Sequence, residues 1–253
     1  MFTYQKLIQS AALSLLLAGL SSQAFAQTNT SGYAGQENLR TLGGSGGNVI
    51  TRFDQRYSGV KGNPFYLDVW LDGAMELRMP GKKDSTRLYR DLKLKYDAYR
   101  NEVIAVQAGK TDTLAFHALQ LASFTLQLPQ YKAPVRFRTY PEAKALDGKL
   151  ENTFFAVVYD GKTDFLKRIG KKLVKADYQG AYSSGQTYDE ITDEVQYYLV
   201  ADGKMQKVKL TKKSVLEALP KQEEKLKAYI SAQKLALNKE EDLVKVLAYY
   251  DTL

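Results

Sequence analysis

The chain has 253 residues, no cysteine, a formal net charge of +8, and 44% apolar residues that include 18 Tyr and 10 Phe. Without cysteine there are no disulfides, no thiolate zinc ligands and no cysteine nucleophile, so stability must come from a core, which this apolar share is enough to build. The positive charge favours solubility and weak association with anionic groups, and in the absence of a recognised binding motif it gives no ground for nucleic-acid binding.

Residues 1–26 predict a cleavable signal peptide. Lys6 is their only charged residue and precedes the apolar run of residues 11–20, which is followed by Ala24-Phe25-Ala26. That order is a basic n-region, an h-region and an A-x-A site. The run is about half the ~20 residues that a spanning helix needs, so cleavage after Ala26 is favoured over a retained anchor. With no cysteine to carry a lipid and no later long apolar run, the expected location is the periplasm or cell envelope, or secretion, with no transmembrane segment in the remaining chain.

Residues 27–63 are rich in Gly, Ser, Thr, Asn and Gln and predict a flexible lead-in. Their Gly43-Gly44-Ser45-Gly46-Gly47-Asn48 cluster lacks the Gly-Lys-Ser/Thr of a phosphate loop.

Residues 64–253 predict one β-rich domain. Four Asp-Gly pairs, at Asp72, Asp147, Asp160 and Asp202, are read as tight hairpin turns. Flanking them are apolar or alternating runs over residues 65–70, 74–79, 154–159, 195–200 and 204–208. Between the first two pairs a meander is expected through residues 92–96, a turn at Tyr99-Arg100-Asn101, residues 102–106, then residues 114–116 and 124–128. Residues 163–175 suit either a helical face of Phe165, Leu166, Ile169 and Leu173 or a returning strand with a bulge at Gly170, and the strand is favoured.

Residues 211–253 predict helices. Thr211 caps the first, Pro220 suits the first turn of the second, and Leu226, Tyr229 and Ile230 give that one a buried stripe. Asn238 with Glu241 makes a capping-box start for the last helix, whose face is Leu243, Val246, Leu247 and Tyr250. The fold class is therefore α+β, an antiparallel β-meander or curved half-barrel-like sheet closed by C-terminal α-helices.

The chemistry-bearing residues are sparse. His117 is the only histidine, which excludes two-histidine mechanisms. A serine triad with Asp112 and Ser123 lacks a Gly-x-Ser-x-Gly elbow, so His117 is read as a strand residue. Asp160, Asp164, Asp189, Glu190, Asp193 and Glu194 show no diagnostic acid/base spacing, and residues 189–194, lacking the calcium-loop pattern, are read as a solvated loop. Lys167, Arg168, Lys171, Lys172 and Lys175 form the densest basic run, read as an exposed cationic strip or an anionic-ligand patch. No catalytic, cofactor-binding or metal residue is assigned.

Several stretches resemble a family of small exported proteins of Gram-negative bacteria without a known function. They are Gly59-Val60-Lys61-Gly62-Asn63-Pro64-Phe65, Leu92-Lys93-Leu94-Lys95-Tyr96-Asp97-Ala98-Tyr99 with Glu102, and Glu240-Glu241-Asp242-Leu243 with Tyr249-Tyr250. The resemblance implies one exported β-rich unit with a helical end and carries over no active-site residue. The expected function is a non-enzymatic binding or scaffolding module whose partner is an envelope protein or an apolar or anionic ligand. The alternative is a carrier or sensor of an apolar ligand such as a lipid, its cavity lined by Tyr and Phe, and the third reading is an exported hydrolase.

Overall fold

The computed structural model describes residues 50–52, 60–79, 85–106, 113–177 and 187–253. The expected leader, the glycine cluster and Asp112 lie outside the described residues. Two pieces of the expected lead-in, β1 (Ile50–Arg52) and β2 (Lys61–Gly62), are strands rather than linker.

The other strands are β3 (Leu71–Arg78), β4 (Thr86–Asp97), β5 (Glu102–Val106), β6 (Thr113–His117), β7 (Leu121–Leu126), β8 (Val135–Arg138), β9 (Phe155–Tyr159), β10 (Asp164–Val174), β11 (Glu190–Ala201) and β12 (Lys204–Val208). All join one open sheet in the order β1-β6-β5-β4-β3-β7-β8-β9-β10-β11-β12, with β2 added in parallel beside β11. Every other ladder is antiparallel, so the fold is the expected α+β meander.

Chain connectivity forces the first half to curl. β6 and β7 stand four places apart in the order, about 19 Å in a flat sheet, yet only Ala118–Gln120 joins them. Four residues reach at most about 14 Å, so the sheet must bend to bring these strands together. β4 supplies a bend, because Gly73 pairs with Leu92 but Met75 pairs with Tyr89, which leaves an extra residue in β4. Asp91 sits in that bulge at φ 55°, the left-handed region where aspartate is tolerated better than most residues. The curl encloses an aromatic core of Tyr96, Phe124, Phe137 and Phe154, in which Phe124 and Phe137 stack with centroids 4.6 Å apart.

The second half has two faces to cover. Helices α1 (Lys212–Ala218), α2 (Glu223–Ala232) and α3 (Glu240–Tyr250) set Val215, Leu226, Ile230, Leu243, Val246 and Leu247 against Phe165, Leu199 and Val208. The other face, carrying Leu166, Tyr198, Val200 and Met205, is covered by Tyr140, Ala143 and Leu150 from a segment of 3-10 turns. The C-terminal end is tied back to the β9–β10 connection, where Asp251 Oδ2 accepts from Tyr159 OH at 3.1 Å and the Lys162 N–H at 2.8 Å.

Two of the four Asp-Gly pairs are hairpin connections. Asp160-Gly161 joins β9 to β10, and Asp202-Gly203 turns β11 into β12 with φ of 51° and 69°. Asp72-Gly73 instead lies inside β3, where a Cβ on Gly73 would run into the Thr125 carbonyl oxygen of β7, so glycine serves close strand approach rather than a turn. Asp147-Gly148 starts a 3-10 turn in which the Asp147 side chain accepts from the Lys149 N–H at 2.9 Å. Residues 66–70 bend instead of forming a strand, and residues 163–175 are strand β10 as favoured, apart from its ends. The bulge expected at Gly170 is not there, since the register with β11 runs unbroken through it, and the irregularity of β10 lies between Phe165 and Leu166 against β9.

Thr211 caps α1 as expected, through the Ser214 N–H at 3.3 Å. Asn238 does not cap α3. The N-cap is Lys239 with no side-chain cap bond, and Asp242 inside the helix accepts from the Leu237 N–H at 3.1 Å. No helix among the described residues is long and apolar enough to cross a membrane.

Candidate functional site

Strand alternation decides where the basic run goes. On β10 the odd residues face the helices and the even residues face the 3-10 segment, so Phe165 and Lys167 lie on one side and Leu166 and Arg168 on the other. The expected single cationic strip is therefore divided between two faces. Lys167 pairs with Glu240 at 2.8 Å, Lys171 with Asp193 at 2.5 Å and Lys175 with Asp189 at 2.7 Å.

Lys167 forms the polar end of a groove of about 480 Å³ between the first turn of α3, strands β8 to β10 and Tyr66. Its walls are chiefly apolar, with Tyr131, Pro134, Val135, Val158 and Val244 among them. The groove lies where the two halves of the sheet meet, since Val135 packs on the aromatic core and Val158 and Val244 pack on the helical one. Glu240 is held in place by Lys167 and by the Tyr197 hydroxyl, which donates at 2.9 Å. A carboxylate in the first turn of a helix is also favoured by the helix dipole. With Lys167 and Tyr197 both bonded to Glu240, the unfilled surface is mainly hydrocarbon, while Lys132, Lys245 and Glu241 stand exposed in its lining.

The tyrosines report this desolvation. Burial, with the charges of Tyr131 and Glu240 adding to it, pushes the Tyr66 hydroxyl up to about 12. Burial and then the hydrogen bond to Glu240 push Tyr197 up as well. Both remain neutral hydrogen-bonding groups at physiological pH.

The serine-histidine arrangement is not assembled. His117 Nδ1 lies 3.0 Å from Glu102 Oε1, whereas the Ser123 hydroxyl donates to Glu76 Oε2 at 2.9 Å. Asp160 and Asp164 both lie on Arg138, at 3.4 and 2.6 Å. Residues 189–194 are mostly strand β11 rather than a loop, and alternation sends their acids to opposite faces. Among the described residues no group of three or more His, Cys, Asp or Glu is placed to hold a metal ion.

Sequence reasoning singled out Lys167 but not its groove, because the walls come from segments as distant as Tyr66, Tyr131, Val158 and Val244. The one available signal was the surplus of tyrosine. No protein-family model, curated protein or solved structure matches the chain.

Proposed function

We propose that the protein is a non-enzymatic binding module of the cell envelope and that the groove beside α3 holds an apolar or amphiphilic small molecule. The observation that carries this is the roughly 480 Å³ of groove volume lined chiefly by hydrocarbon, with the Lys167, Glu240 and Tyr197 polar groups already satisfied by one another. Such a volume falls in the range of small-ligand sites, and a few fixed polar groups beside an apolar wall suit orientation of an amphiphile. Lys132 and Lys245 against the one exposed carboxylate, Glu241, leave the rim with a net positive charge, which favours a ligand whose exposed head is anionic. The leader-like residues 1–26 and the resemblance to exported Gram-negative proteins support the envelope location.

The test is fluorescence titration with 1-anilinonaphthalene-8-sulfonate, an apolar body with an anionic head. Saturable one-to-one binding to the folded protein is expected, and Val158→Trp, which fills the groove, should weaken it at least tenfold. Equal binding by Val158→Trp, with its fold intact by circular dichroism, contradicts the proposal.

A second reading is a protein partner, favoured by adjacent Val69 and Trp70, which are 51% and 40% exposed. Trp70 is the sole tryptophan, so 5-fluorotryptophan labels this position alone. A change in its ¹⁹F signal on adding unlabelled envelope extract supports this reading, and an unchanged signal counts against it.

A further inference from the structure

The residue next to Lys167 points into a different place. Arg168, Lys149 and Lys207 line a second pocket, of about 460 Å³, on the face of the sheet opposite the groove. Arg168 donates from Nη1 to the amide oxygen of Gln196, its neighbour across the ladder, at 3.1 Å. Among the described residues no carboxylate comes within ion-pair distance of Arg168, Lys149 or Lys207, and Arg168 is only half-exposed. A guanidinium kept partly out of water beside a neutral amide retains most of its capacity for an anion.

The acids in the lining are already engaged. Asp147 accepts from the Lys149 N–H at 2.9 Å, and Glu194 accepts from the Gln196 amide at 2.5 Å. Gln196 Oε1 also takes the Tyr198 hydroxyl at 2.6 Å, so this amide holds both Tyr198 and Arg168 in position. Gly170 completes the arrangement. A Cβ there would sit 3.1 to 3.3 Å from three guanidinium atoms of Arg168, so the glycine leaves room for the arginine to lie against the strand.

The charges of the lining, three cations and two carboxylates, leave a formal surplus of one positive charge. Beside them lie Leu146, 44% exposed, and the buried Leu150. We infer that this pocket binds a small monocarboxylate, its carboxylate forked on the Arg168 guanidinium and flanked by Lys149 and Lys207, its short apolar body against Leu146 and Leu150. A guanidinium matches two carboxylate oxygens at once, and one negative charge balances the pocket. This inference does not depend on the groove reading, because it uses the other face of β10.

The experiment is a ¹H–¹⁵N NMR titration of the protein, including the arginine Nε–H signals, with hexanoate and, in a separate series, with inorganic phosphate. Hexanoate is expected to give saturable shifts at Arg168 Nε–H and at residues 146–150 and 196–198. Arg168→Gln should raise the dissociation constant at least tenfold. Gly170→Ala, which keeps the charge but crowds the guanidinium, should raise it severalfold, and Lys213→Gln, which removes one positive charge on α1 outside the lining, should leave it unchanged. Hexanoate binding that is equal in Arg168→Gln, shifts confined to residues 131–135 and 240–245, or saturable phosphate binding without hexanoate binding would each overturn the assignment.

Discussion

From Leu71 to Arg138 the sheet buries its inner face largely against itself, whereas from Phe155 to Val208 it is covered on one face by three helices and on the other by 3-10 turns. The curled half adds six aromatic rings, Tyr89, Tyr96, Phe116, Phe124, Phe137 and Phe154, to the leucines of its core. The second half imports Leu, Val and Ile on helices, and its strands alternate between two separate cores. Sites arise from that second arrangement. Neighbouring β10 residues such as Lys167 and Arg168 enter different pockets, and the seam between the halves leaves a groove unfilled.

Breaking each half should have different reach. Phe137→Ala removes one member of the stacked pair and is expected to cost about 3–5 kcal/mol, read as a lower urea midpoint. Leu226→Ala, in the helical core, is expected to cost about 2–4 kcal/mol. Hydrogen exchange should then quicken in β10–β12 and the helices while β3–β7 stay protected. Uniform acceleration in the Leu226→Ala variant would mean that the halves are one cooperative unit.

The bulge that bends β4 comes next in size. Asp91→Val places a β-branched residue at φ 55° and should cost about 1–3 kcal/mol, whereas Asp91→Gly should be close to neutral. Equal loss in both variants would show that the aspartate side chain, not the backbone shape, matters there.

Two carboxyls sharpen the comparison electrostatically. Burial, opposed by Arg138, holds Asp164 above its ordinary 3.8. Its contribution to stability is therefore full below the ordinary value and lost as pH rises through the folded one. The hydrogen bond from Lys175 and the Ala176 N–H hold Asp189 below its ordinary 3.8, so its contribution is present above that value and lost as pH falls through the folded one. Carboxyl ¹³C titration should show Asp164 moving further up in Arg138→Gln and Asp189 moving back up in Lys175→Gln. The smallest effect expected is that of Gly203→Ala in the β11–β12 turn, about 1 kcal/mol, from the left-handed φ alone.

Local chemistry was legible wherever it acts alone. Asp202-Gly203, the Tyr99-Arg100-Asn101 turn, the Thr211 cap and the stripe of Leu243, Val246 and Leu247 all sit where their own preferences place them. Asp72-Gly73 misled because the same dipeptide that favours a turn also permits close approach of β7, and only the sheet order reveals which need applies. Asn238 misled because Asp242 accepts the Leu237 N–H and the helix starts without a side-chain cap. The basic run was visible, but dividing it into Lys167 and Arg168 environments required knowing that β10 is covered on both faces. Neither pocket was legible, since each is walled by residues that only the tertiary fold brings together.

The groove is tested most directly by native mass spectrometry of the protein purified gently from the envelope fraction, followed by organic extraction, with Val158→Trp purified in parallel. The account predicts an extractable apolar or amphiphilic molecule on the unmodified protein and a bare chain for Val158→Trp. A bare chain in both preparations, or the same molecule retained by Val158→Trp, would contradict it.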